Sequence, residues 1–395
     1  MREGWQIRKL GDVCSLLNRG VSPAYLEKGG VCVLNQKCIR NHEVSYEPAR
    51  RHDDTAKKVA EERFIRRGDV LVNSTGTGTL GRVAQVRNEP EEATTVDSHV
   101  TIVRAKPGLF RLEFFGYMLV FIEEAIKEAG DGCGGQTELA RSVLAERFSV
   151  SYPESLVEQQ RIVALLDEAF AGLATAKANV ERNLQNARAL FESHLQSVFT
   201  PRDGGGWATM QLGDVCDFKG GSQPPKSQFV YEPRPGYVRF LQIRDYASEK
   251  HVTYIPESAK NRICNSDDIM IGRYGASVGK ILTGQAGAYN VALIKTMPDL
   301  RLLDRTFFFH YLRSGAFQLR LADVASRSAQ DGFGKDDIYG FPVPVPSLNE
   351  QQEVIQQIEP LAEETQRLTR LYERKLAALE ELKKSLLHQA FNGEL

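Results

Sequence analysis

Two stretches of this chain can be laid over one another without a gap, and that restricts the possible folds more than any single motif does. Pro153, Ser155, Leu156, Glu158, Gln159 and Gln160 are echoed by Pro346, Ser347, Leu348, Glu350, Gln351 and Gln352. From Leu156 and Leu348 the offset is 192, and it is still 192 at Ser193 and Ser385, Leu195 and Leu387, and Phe199 and Phe391. Earlier in each copy, Trp5 with Leu10, Gly11, Asp12, Val13 and Cys14 matches Trp207 with Leu212, Gly213, Asp214, Val215 and Cys216 at an offset of 202. Each half of the 395 residues therefore has a variable first part and a length-locked second part.

The locked parts have helical periodicity. Ile162, Leu166, Ala169, Leu173, Ala176, Val180, Leu184, Ala187, Phe191, Leu195 and Val198 recur in threes and fours. Val354, Ile358, Leu361, Leu368, Tyr372, Leu376, Leu379, Leu387 and Ala390 follow the same register, interrupted at Thr365 and Lys383. An unbroken helix from Leu156 to Phe199 would be about 66 Å long. Such a stripe cannot be covered by one small domain, so the two helices are expected to pair antiparallel about a pseudo-twofold axis. The seam residues would be Leu166, Leu173, Val180, Leu184 and Leu195 on one side, and Ile358, Leu368, Tyr372, Leu376, Leu379 and Leu387 on the other. Pro360 is expected to start or kink the second helix.

Strand-like runs at 31–34, 70–72, 100–103, 238–243, 269–271 and 291–294, with helical patches at 112–129 and 306–325, make both variable parts mixed. The expected fold is α+β: two mixed α/β domains in pseudo-twofold repeat, separated by two long antiparallel coiled-coil-like helices. The boundaries read as 1–155, 156–200, 201–346 and 347–395.

Charge separates along the same lines. The net charge of -1 hides 18 basic against 15 acidic groups in residues 201–346, and 6 against 9 in residues 347–395. Six cysteines with no C-x-x-C pair point to reduced, mostly buried thiols, and neither a signal peptide nor a membrane span is evident. The expected compartment is the cytoplasm.

No catalytic or metal-binding constellation stands out. Gly76, Gly78 and Gly81 spell G-x-G-x-x-G after a strand, but Arg82 to Val86 continue as a strand where a dinucleotide site needs a helix. A hairpin loop is the better reading. Gln223, Pro224, Pro225 and Lys226 lack the acid or amide and the aromatic ring of an amino-methyltransferase motif, and read as a stiff turn. What remains is a set of side chains suited to nucleic acid. The first copy offers Arg19, Ser22, Tyr25, Asn35, Gln36, Lys37, Arg40, Ser74, Thr75, Thr77, Arg82, Gln136 and Arg141. The second offers Lys219, Ser222, Gln223, Lys226, Gln228, Gln242, Arg244, Arg273, Tyr274, Lys280, Arg327, Gln330 and Lys335. Arg and Lys suit guanine edges and phosphates, and Gln and Asn suit adenine edges. Taken singly, each reads first as an ordinary solvated loop side chain. The run from Arg50 to Arg67, interleaved with Asp53, Asp54, Glu61 and Glu62, reads as a solvated helix or loop with at most phosphate contacts.

The W-x4-L-G-D-V-C opening of each half, Gly-Ser-Gln-Pro-Pro at 221–225, Asp-Ile-Met-Ile-Gly-Arg-Tyr-Gly at 268–275 and Pro-Val-Pro-Ser-Leu-Asn-Glu-Gln-Gln at 344–352 carry a resemblance. So does the terminal Leu-Leu-His-Gln-Ala-Phe-Asn-Gly-Glu-Leu from 386. Together they resemble the specificity subunit of type I restriction-modification systems, over essentially the whole chain. The first half departs from the pattern, with Tyr152, Pro153, Glu154 and Ser155 before the helix and a loop reduced to Gly20, Val21, Ser22 and Pro23. The resemblance implies two target-recognition domains, each reading half of a bipartite double-stranded DNA site. It implies helices that act as spacer and platform for two methyltransferase subunits, with restriction subunits as further partners. It implies no cofactor of the chain's own, S-adenosylmethionine being bound by the methyltransferase. The competing reading from the residues alone is a two-domain protein-binding adaptor with a helical dimerisation stem; a stand-alone methyltransferase or nuclease lacks its motifs.

Overall fold

The computed structural model describes residues 4–133, 136–200, 207–327 and 332–395. The chain divides into two compact units, one made of Met1–Val180 with Arg374–Leu395, the other of Glu181–Glu373.

In the first unit the Trp-x4-Leu-Gly-Asp-Val-Cys stretch folds as strand, helical turn, strand. Trp5–Lys9 pairs antiparallel with Ser149–Pro153, tying the ends of the globular segment together just ahead of the first long helix. Leu10–Val13 is a single helical turn that buries Leu10 and Val13. Cys14–Arg19 then joins an antiparallel sheet in the order Cys14–Arg19, Val100–Ala105, Val70–Asn73, Val83–Gln85. Alternation along these strands sends Val70, Val72, Val83 and Val103 toward the helices Leu112–Phe121 and Glu123–Glu128. Leu71, Ala84, Val100 and Ile102 go the other way, onto Cys32, Leu34 and Val96 of a second sheet. That sheet runs Thr94–Val96, Val31–Leu34, Arg50–His52, Tyr25–Leu26, parallel in its first pair and antiparallel in the rest. Arg50 and Arg51 thus lie on a strand, where a solvated helix or loop was expected, because pairing with Val31–Leu34 organises that segment despite its charge.

The second unit repeats this plan. Thr209–Gln211 pairs with Pro342–Pro344, Leu212–Val215 makes the helical turn, and the antiparallel sheet runs Cys216–Gly220, Leu293–Pro298, Met270–Gly272, Ile281–Leu282. Its mixed sheet runs Tyr254–Pro256, Tyr237–Leu241, Gly287–Tyr289, Ile263–Cys264, with the middle pair parallel. The two mixed sheets differ in where the outermost short strand attaches. Two glycines hold matched positions: a Cβ at Gly20 would stand 1.8 Å from the Val96 carbonyl oxygen, and one at Gly221 would stand 2.0 Å from that of Asn290. No side chain fits at either crossing.

Each helical patch expected as one element is two. Ile122 separates Leu112–Phe121 from Glu123–Glu128, and Ser314, in extended conformation, separates Arg305–Arg313 from Gly315–Ser326. The Ser314 hydroxyl donates to the Tyr311 carbonyl at 2.7 Å, competing with the helical ladder.

The long helices are Leu156–Phe199 and Leu348–Asn392. Pro360 lies inside the second and does not start it. Ser155 and Ser347 cap their first turns: Glu158 donates its N–H to the Ser155 hydroxyl at 3.3 Å, and Glu350 accepts from the Ser347 N–H at 2.8 Å. The glutamine that follows is wholly buried in both copies and makes the same three bonds. Gln159 accepts from the Arg111 N–H at 2.8 Å and donates to the Leu109 and Pro153 carbonyls. Gln351 accepts from the Asp304 N–H at 2.7 Å and donates to the Leu302 and Pro346 carbonyls.

Each unit takes helix from both copies. The core of the first includes Ile162, Val163 and Leu166 together with Leu387, Ala390 and Phe391, the last ring packing 5.2 Å from Phe114 and 5.3 Å from Phe121. The core of the second includes Phe191, Leu195 and Phe199 together with Val354 and Ile358, and Phe199 packs 5.2 Å from Phe307. In the first unit Arg161 donates to the Leu395 carbonyl and Lys177 pairs with Glu380, so the two helices run antiparallel there; in the second unit Arg188 pairs with Glu373. Of the expected seam residues, Leu166, Leu195, Ile358 and Leu387 are buried, whereas Leu173, Val180, Leu184, Leu368, Tyr372, Leu376 and Leu379 are half-buried. Cys14, Cys32, Cys38, Cys216 and Cys264 are buried free thiols, and burial pushes Cys14 and Cys216 up to about 12.

Candidate nucleic-acid interface

Several candidate reading residues of the first unit are joined by hydrogen bonds and an ion pair, although they come from strands, turns and a helix. In the first unit the strand Val31–Leu34 ends in a tight turn at Gln36–Cys38, whose N–H groups are capped by the Asn35 side chain. The Gln36 amide donates to the Thr75 carbonyl at 2.7 Å and to its hydroxyl at 2.5 Å. That hydroxyl also meets Nδ1 of His99 at 2.7 Å. Thr75 bridges in strand fashion to Glu138, and Glu138 forms an ion pair with Arg19 at 2.7 Å. Arg19 also donates to the Leu139 carbonyl, and Arg141 donates to the Asn18 side chain at 2.7 Å. The fold thus brings Arg19, Gln36, Thr75 and Arg141 into one connected surface with Asn18, His99 and Glu138, three residues the sequence reading did not name. Nothing in its composition marks His99; only its place just ahead of the strand Val100–Ala105 puts it there.

The other candidates of the first unit sit around this network. Ser22, Lys37, Arg40 and Thr77 are exposed, and Ser74 is buried. Arg82 is half-buried and donates to the Gly78 carbonyl at 2.9 Å. Gly76, Gly78 and Gly81 all have positive φ in the loop between Val70–Asn73 and Val83–Gln85, the expected hairpin loop. Tyr25 lies on the edge strand of the mixed sheet under the Arg50 guanidinium, 3.5 Å from the ring centre. The side chain of Gln136 lies outside the described residues, as does Gln330.

The second unit keeps the backbone frame and changes the chemistry. Ser74 donates its N–H to the His99 carbonyl and Arg273 donates to that of Ala292; Thr75 bridges to Glu138 and Tyr274 to Gly332. Arg273 therefore occupies the place of Ser74, Tyr274 that of Thr75, and Ala292 that of His99. The Arg273 guanidinium lies over the Tyr274 ring at 5.1 Å and donates to the Phe333 carbonyl at 3.1 Å. Lys335 lies 5.7 Å from the Tyr339 ring, and the Tyr339 hydroxyl donates to Asp217, which holds that carboxyl below the usual range. Gln242 is part of a capping box with Asp245, and Arg327 pairs with Asp323. Lys219, Gln223, Lys226, Gln228, Arg244 and Lys280 are exposed, and Ser222 is half-buried. No group of three or more His, Cys, Asp and Glu among the described residues could hold a metal, and no described helix is long and apolar enough to cross a membrane.

Residues 2–182 and 204–380 both match the family model of the type I restriction modification DNA specificity domain. The chain belongs to that family. Among curated specificity subunits, that of type I restriction enzyme EcoDI of Escherichia coli is 22% identical over 73% of this chain and 71% of its own length. That of MjaVIII of Methanocaldococcus jannaschii is 23% identical over 47% of this chain and 42% of its own, so the alignment spans under half of that relative. Among solved structures, one described as showing complex assembly and conformational transition of the type I R-M system superposes with a TM-score of 0.77, at 20% identity, over 100% of this chain and 99% of the other. The HsdS subunit from Thermoanaerobacter tengcongensis superposes with a TM-score of 0.52, at 21% identity, over 100% and 98%. These likenesses show the specificity-subunit fold, with its two repeated domains and long helices.

Proposed function

We propose that this family member is the non-catalytic specificity subunit of a type I restriction-modification complex, each globular domain reading one half of a bipartite DNA target. The observation that carries the reading is the matched frame with unmatched side chains. The same loops are pinned by the same backbone bonds in both units, yet one presents amide, hydroxyl and imidazole where the other presents guanidinium and phenol. A split target needs just that, since phosphate contacts position a reader and side chains at base edges specify. The long helices are proposed to fix half-site spacing and to dock two methyltransferase subunits, which would bind S-adenosylmethionine and carry out methyl transfer; restriction subunits would complete the complex. Support for docking comes from apolar side chains left exposed on the helices, among them Leu190 at 72% and Leu382 at 48%.

The test is an exchange of residues 207–345 for the corresponding segment of another family member, followed by sequencing of methylated bases in cells expressing the cognate methyltransferase. One half of the methylated sequence is expected to change while the other is retained. A methylation pattern identical before and after the exchange would reject the reading.

A further inference from the structure

We propose that Gln36 reads the first half-site as a pure hydrogen-bond acceptor, discriminating amino bases (adenine or cytosine) from keto bases (guanine or thymine) on one strand, with Thr75 and His99 as its positioning residues. This rests on the proposed reading of DNA by the first domain and specifies how one base is chosen.

A free glutamine offers both a donor and an acceptor and so can bind adenine bidentately. Gln36 is not free in that sense. The Thr75 carbonyl 2.7 Å from one end of its amide can only accept, so that end is the NH2 group, and the second bond to the Thr75 hydroxyl engages it further. The amide is therefore fixed about its terminal torsion, and Oε1 has no protein partner among the described residues. The Thr75 hydroxyl is held in turn by the exposed His99 ring at 2.7 Å. The Asn73 side chain donates to the Gln36 carbonyl at 3.2 Å, fixing the backbone beneath it.

Space for an approaching base is provided by Gly76. Its φ is +101, and a Cβ there would lie 3.0 Å from Gln36 Oε1 and 2.5 Å from the Thr79 hydroxyl, crowding the acceptor. In the major groove adenine N6 and cytosine N4 are donors, whereas guanine O6 and thymine O4 are acceptors. A lone fixed acceptor bonds the first pair and repels the second. In the second unit the residue matched to Gln36 is Ile243, packed against the core, and Arg273, Tyr274 and Ala292 stand at the places of Ser74, Thr75 and His99, so the frame there presents a donor.

The experiment uses the full chain in complex with its cognate methyltransferase subunits on a library of targets randomised through the first half-site, read by sequencing of methylated products. Wild type is expected to show one position where adenine or cytosine is favoured over guanine and thymine by roughly tenfold or more. Gln36→Ala is expected to bring that ratio to within about threefold of unity at that position alone, leaving the second half-site unaltered. Thr75→Val should relax the same ratio, and Thr75→Ser, which keeps the hydroxyl, should restore it. Unaltered base preferences in Gln36→Ala, or a loss spread over the whole half-site, would overturn the assignment while leaving the specificity-subunit reading in place. Failure of the wild-type complex to select any split sequence would instead reject that underlying reading.

Discussion

The smallest features with consequences for the whole chain are single buried polar side chains at the junctions between globular and helical parts. His310, in the helix Arg305–Arg313, is buried and bonds through Nε2 to Glu359 of the second long helix at 2.6 Å. Its Nδ1 is buried without a partner among the described residues. Burial lowers its pKa below the ordinary 6.5, against the pull of Glu359 and with a small push from Arg313. Protonation would place a second N–H where nothing accepts it. An unfolded chain binds that proton more readily, so the stabilisation is complete above pH 6.5 and is lost as pH falls toward the folded-state value. Urea midpoints of the second unit's transition are expected to drop between pH 7.5 and pH 5.5, and His310→Gln should flatten that part of the profile. Parallel profiles for variant and wild type would remove the assigned role. At this scale the sequence was informative where chemistry and spacing coincide. Gln36 and Thr75 could be picked out as polar loop residues, and Gln159 and Gln351 as a repeated pair. Their bonding could not, because it depends on which loops meet, and His99 enters the network only through a contact 24 residues away in sequence.

Elements were legible in proportion to how local their causes are. The run 31–34 is the strand Val31–Leu34, and the long helices follow from their own periodicity and Ser caps. The break at Ile122 was not legible, since it lies within a continuous apolar run; that at Ser314 falls on a Ser-Gly pair, a turn signal passed over, and depends on a side-chain bond to the preceding turn. Nor did Arg50 and Arg51 look like strand, because their strand is set by its neighbours. The sharpest element-scale consequence concerns the equivalent residues Phe199 and Phe391, each buried in the unit opposite to the copy that numbers it. Phe391→Ala should cost about 3–5 kcal/mol and speed amide exchange around Phe114 and Phe121, while Phe199→Ala should do the same around Phe307 and Tyr311. Exchange of the reverse pattern, or equal effects everywhere, would contradict the packing.

For the whole molecule, the near-neutral charge becomes intelligible once divided among parts, with residues 201–346 slightly basic and residues 347–395 acidic. A chain with so little excess positive charge should displace few counterions by itself. The slope of log affinity against log salt for DNA binding by the isolated chain is expected to be shallower, by about 3 or more, than that of the chain with methyltransferase subunits. Equal slopes would mean that the cationic surface belongs to this chain after all. The way the helices are shared also bears on the order in which the protein is made. The second unit is one continuous segment, Glu181–Glu373, whereas the first is completed by Arg374–Leu395. As the chain leaves the ribosome, the first recognition domain emerges with the docking place for Phe391 unfilled and waits through the synthesis of everything between. The domain made second can close its core first, so the early one is the part that most needs shielding from aggregation until Arg374–Leu395 has been made.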